Sequence, residues 1–74
     1  MAWVIAETAE ITTAGFLELV GDPLRWALLG ELAGSDRRVG DLTTSTGKGQ
    51  SLVSYHLGQL RAAGLVSARR PQLP

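Results

Sequence analysis

Apolar positions along this chain fall into helix-like periods followed by one strand-like run. The clearest period lies in the second half, where Val53, Leu57, Leu60 and Gly64 recur at i, i+4, i+7 and i+11. At about 100° per residue they share one narrow face, which predicts a helix over about residues 50–63. Its opposite face holds Ser51, Ser54, Tyr55, Gly58 and Ala62. Upstream, Leu24, Leu28 and Leu32 form one line and Trp26, Leu29 and Ala33 the adjacent one, predicting a helix from Pro23 to about Ala33 whose wide apolar face takes Trp26 into the core. Asp22-Pro23 starts it, with Asp as cap and Pro at the first helical position, and Gly34-Ser35-Asp36 stops it. Phe16, Leu17, Leu19 and Val20 cover a broad arc and predict an earlier helix from Thr12 or Thr13 to Gly21, either plain core or core that also supplies a subunit interface. Trp3, Val4 and Ile5 are followed by no clear period, so residues 1–10 form an arm that frays or packs on a partner.

Between these helices, Asp41 to Thr46 reads as a short helix of poor propensity that packs through Val39 and Leu42. Gly47-Lys48-Gly49 is a turn, with one glycine in the left-handed conformation that ends the preceding helix. After Gly64, a helix C-terminal cap, Leu65 to Arg70 reads as a strand, and Pro71 and Pro74 end it. From Val39 to Val66 the order is therefore short helix, glycine turn, longer helix and strand. That is the grammar of a helix-turn-helix. The outward face of the longer helix carries small or hydrogen-bonding residues and no carboxylate, as a face that enters a major groove requires. Lys48 stands at that helix's N-terminus, where a phosphate is attracted. Gly-Lys-Gly-Gln-Ser lacks the spacing of a nucleotide-binding phosphate loop.

Seventy-four residues make one small domain, in a size range where a single core seldom supplies more than roughly 3 to 5 kcal/mol. With no cysteine there is no disulfide framework, thiolate metal site or thiol nucleophile. The N-terminus has neither a basic start nor a long apolar run, so the expected address is cytoplasmic, with no membrane partner. Net charge is zero, but residues 1–24 hold Glu7, Glu10, Glu18 and Asp22 and no base, and residues 25–74 hold seven bases against Glu31, Asp36 and Asp41. The helix-turn-helix lies in the basic part. Arg37 and Arg38, just before it, are either a solvated pair or phosphate contacts.

Enzyme chemistry has little to stand on. His56 is the single histidine; it reads first as a half-buried, locally hydrogen-bonded side chain and second as a phosphate or base contact. It makes no metal site alone, Ser51 and Ser54 lack helical spacing to it, and no two carboxylates are paired for acid/base work. No cofactor is expected.

Taken together, these fragments resemble a known family. Asp22-Pro23-Leu24-Arg25 followed by an apolar run, Val39-Gly40-Asp41-Leu42, Gln50-Ser51-Leu52-Val53-Ser54-Tyr55-His56-Leu57, Leu60-Arg61-Ala62-Ala63-Gly64-Leu65-Val66 and Arg69-Arg70 resemble, in order and spacing, the ArsR/SmtB winged helix-turn-helix repressors. The resemblance spans about residues 21–70. It implies a mainly α fold of four helices with a short or incomplete β-wing, a DNA-binding transcriptional regulator, and a homodimer formed through the N-terminal helices on palindromic double-stranded DNA. Gln50, Ser51, Ser54, Tyr55 and His56 would then lie at or near DNA, with Lys48, Arg61, Arg69 and Arg70 as backbone contacts.

Two departures accompany the resemblance. Where arsenic-responsive members carry two cysteines before Asp-Leu, this chain has Arg38 and Gly40. The family also continues into a second wing strand and a C-terminal helix, so the strand from Leu65 is expected to lack a hairpin partner. The expected organisation is an arm at 1–10, a helix-turn-helix domain at 11–70 and a tail at 71–74. The alternative functions are a dimerising protein-interaction module built on Phe16, Leu17 and Val20, or the N-terminal domain of a longer fused protein.

Overall fold

A computed structural model describes residues 1–6 and 11–70. Along the chain come β1 (Ala2–Ile5), α1 (Thr13–Val20), α2 (Pro23–Gly34), α3 (Val39–Thr46), α4 (Gln50–Ala62) and β2 (Val66–Arg69). The first two helices start where a side chain can cap them. Thr12 Oγ1 accepts the Gly15 N–H at 3.0 Å, and one carboxylate oxygen of Asp22 accepts the N–H groups of Leu24 and Arg25 at 2.8 and 3.1 Å, satisfying donors that the first helical turn leaves free. α3 begins at Val39, two residues earlier than its sequence suggests, because the Asp41 carboxylate reaches back to the Arg38 N–H at 3.2 Å.

The core joins α2, α3, α4 and the start of β2 through Leu28, Leu32, Leu42, Val53, Leu57, Leu60, Leu65 and Val66. Leucine-rich faces at helical spacing meet there, as the periodicity predicts. Trp26 is a correction. It is 61% exposed, because Leu28 and Leu32 point into the α2–α4 contact and Trp26 lies to the side of that line.

The strand from Leu65 also departs from expectation. β2 has a partner: β1 pairs with it antiparallel, Ala2 opposite Arg69 and Ile5 opposite Val66. On β1's other edge Trp3 and Arg37 exchange backbone hydrogen bonds of 2.6 and 3.1 Å. The first half of the arm is therefore part of the fold, with Val4 buried and Trp3 packed on the core; residues 7–10 and the tail at 71–74 lie outside the described residues. Pairing satisfies the β2 backbone groups along that edge.

Candidate nucleic-acid interface

Two helices and a short glycine turn build the site. Gly47 ends α3 at φ 71°, a left-handed conformation that a side chain disfavours, and its N–H bonds to the Thr43 carbonyl at 2.9 Å. The hydroxyls of Thr43 and Thr44 turn back to the Gly40 carbonyl, and that of Thr46 to Leu42. These bonds satisfy the hydroxyls but do not strengthen a helix of weak intrinsic propensity; its buried Leu42 ties it to the core. α4 then starts from Gly49, a cap with no side chain to offer. Its first N–H groups are left for another acceptor at the positive end of the helix dipole, beside the exposed Lys48. An anionic oxygen is the complement of such an end.

α4 has two distinct sides. Val53, Leu57 and Leu60 are fully buried, and Ser51, Ser54, Tyr55, Gly58 and Ala62 are exposed. The helix contains no Asp or Glu, so nothing on it repels a phosphate lattice. Of the residues expected at DNA, Lys48, Gln50, Ser51, Ser54 and Tyr55 gather on the turn and the first half of α4, all exposed. Arg61 is exposed in the last turn, about 10 Å along the axis from Ser54 at ~1.5 Å per residue. Arg69 is exposed at the last position of β2 and Arg70 just beyond it.

His56 does not join them. It is 7% exposed, and its Nδ1 accepts a hydrogen bond from Arg25 Nε at 3.0 Å. Lying one position off the seam, it rotates into the α2–α4 contact rather than toward the exposed face of α4. The arginine pair divides: Arg37 turns to Glu31, at 3.8 Å, while Arg38 is exposed. Asp22, holding two backbone N–H groups, has its carboxyl lowered from the ordinary 3.8, first by the Arg25 N–H, against opposing burial, and then by that of Leu24.

Sequence reasoning missed two residues. Leu52 is 45% exposed on α4; its signal was its place outside the seam. Arg25 holds His56 from 31 residues away, and no local pattern announces that contact. Among the described residues, no group of three His, Asp or Glu side chains is placed to hold a metal ion, and no helix is long and apolar enough to cross a membrane.

Comparison with known proteins adds two findings. Residues 22–68 match the family described as "Bacterial regulatory protein, arsR family". The nodulation protein NolR of Rhizobium meliloti is 45% identical over 64 residues, which cover 86% of this chain and 52% of NolR, so the chain spans about half the length of that relative. No solved structure matches the chain significantly.

Proposed function

The chain belongs to the arsR family of bacterial regulatory proteins and carries its helix-turn-helix, and from that premise we propose that it is a cytoplasmic, DNA-binding transcriptional regulator that reads a major groove with α4. The observation that carries the reading is the carboxylate-free outward face of α4, set opposite a fully buried seam. Gln50, Ser51, Ser54 and Tyr55 meet base edges, and Leu52 offers an apolar contact to a thymine methyl. Lys48 and the uncapped N-terminus of α4 take phosphates, with Arg61, Arg69 and Arg70 as further backbone contacts.

A duplex from upstream of the chain's own gene tests this. Titrated with the purified chain between about 50 and 200 mM salt, it should bind with log affinity falling linearly in log salt, at a slope set by the phosphates neutralised. Binding that ignores salt, or none at the lowest salt, would overturn the reading.

The apolar surface favours self-association as part of the same function. α1 has no fully buried residue, and Leu17 on it is 62% exposed. Next to it Ile5, Phe16, Trp26, Leu29, Ala33 and Leu65 line an apolar groove of about 400 Å³. Two copies joined through α1 would present two α4 helices to half-sites about 34 Å apart, one turn of DNA. This arrangement is the proposed homodimer.

A further inference from the structure

Behind the outward face of α4 lies a polar contact that groove reading does not use. His56 is the buried polar side chain of the described residues. The guanidinium of Arg25 donates through Nε to His56 Nδ1 at 3.0 Å and through Nη1 to the Leu19 carbonyl at 3.2 Å. Its own backbone N–H is held by the Asp22 carboxylate. One side chain of α2 thus ties the last turn of α1 to the middle of α4, and the cap of α2 anchors it at the root.

Such a tie does what the leucine seam cannot. Apolar packing is non-directional and tolerates a small roll of a helix about its axis, whereas a hydrogen bond weakens steeply with angle. The roll of α4 decides where Tyr55 points, and Tyr55 is 57% exposed. Its ring also meets the His56 ring edge on, with centroids 5.2 Å apart and planes at 74°. Contacts therefore run unbroken from Asp22 through Arg25 and His56 to Tyr55.

We propose that Arg25 is a positioning residue for DNA recognition: by holding neutral His56 it sets the roll of α4 and the place of Tyr55, and protonation of His56 releases both and weakens the DNA complex. The proposal rests on the reading of α4 given above. A nitrogen that accepts from a guanidinium carries no proton; once protonated, Nδ1 turns an N–H toward the Arg25 N–H, the bond breaks and two positive charges are apposed. Histidine is the side chain whose charge ordinarily changes between about pH 5 and 8.

The charged groups around it act in both directions. From α2, Arg25 opposes a second positive charge, and Asp22 lies close enough for charge on His56 to stabilise its carboxylate. α1 contributes the Leu19 carbonyl, already taken by Arg25. On α3 and β2, the other elements packed on α4, the charged residues are Asp41 and Arg69, both exposed, as is Arg61 on α4 itself.

The test is duplex binding at constant salt from about pH 8 to pH 5.5, with wild type, His56→Asn and Arg25→Lys. Asparagine places an amide oxygen near the position of Nδ1 and does not titrate, so His56→Asn should bind at pH 8 and stay flat, whereas wild type weakens about tenfold toward pH 5.5. Arg25→Lys keeps the charge without the planar fork and should already be about tenfold weaker at pH 8. Equal pH slopes for wild type and His56→Asn would overturn this proposal alone, and a wild type that binds no duplex at pH 8 would overturn the DNA reading with it. Should a variant fail to fold, nitrogen NMR of the single histidine in the wild-type chain decides: a bare Nδ1 at pH 8, and Tyr55 ring signals that move as it protonates, support the proposal. A protonated Nδ1 at pH 8, or an unmoved Tyr55, overturns it.

Discussion

Leu57 is fully enclosed at the centre of the α4 seam, among Leu28, Leu42, Val53 and Leu60. Leu57→Ala should cost roughly 2 to 5 kcal/mol, since the cavity left behind adds to the forfeited transfer energy; thermal or urea unfolding would read it, and an unchanged midpoint would contradict the seam. Asp22 is governed by charge. Its folded-state pKa is lowered, so the stability it contributes is present above its ordinary 3.8 and is lost as pH falls through the lower folded value. Asp22→Asn keeps a capping oxygen and should leave stability near pH 7 little changed while flattening the decline below about pH 4, as urea midpoints against pH would show. Both residues announce themselves in sequence, one by period and one by the Asp-Pro pair. Trp26 did not, and His56 announced its burial but not its partner Arg25, because these surroundings come from elements remote in the chain.

At the scale of elements, α4 reads from its own residues: the apolar period marks the buried side and the carboxylate-free remainder the other. Ser54→Ala and Tyr55→Ala should each weaken specific DNA binding by roughly 1 to 3 kcal/mol, the worth of one well-made hydrogen-bonded recognition of a base edge, with melting unchanged. Full affinity in both variants would remove them from the interface. β1 is the opposite case. Four residues with no clear period form a strand because β2 and Arg37 offer backbone partners on its two edges. Deleting residues 1–6 should lower the melting temperature and speed amide exchange in β2, since its paired edge is opened to water. Exchange in β2 that does not change would mean β1 adds no protection.

For the whole molecule, the decisive feature is an apolar side formed by α1, Trp26 and Ile5, whose groove reaches Leu65 of the core. If copies join there, Leu17→Glu should shift the chain to monomer in sedimentation at micromolar concentration. Because Leu17 is exposed, the fold should change in stability by no more than about 0.5 kcal/mol. A monomer in both proteins would end the dimer reading. Acidic residues at 1–24 and basic ones beyond also leave α4 in the positive part of a neutral chain, which would favour encounter with a polyanion at low salt.

Neighbours within a turn or two set what is legible in the chain alone: a cap at Thr12 or Thr13, the cap at Asp22, one left-handed glycine in the turn at 47–49, the helix end at Gly64 and the two sides of α4. Caps and periods act through hydrogen bonds and rotations spanning three or four residues, so they are written locally. The pairing of Ala2 with Arg69, the exposure of Trp26 and the hold of Arg25 on His56 arise in the assembled fold. Each depends on groups brought together by chain closure, and a strand edge, a lateral tryptophan or a buried acceptor takes its meaning from whichever distant group arrives beside it.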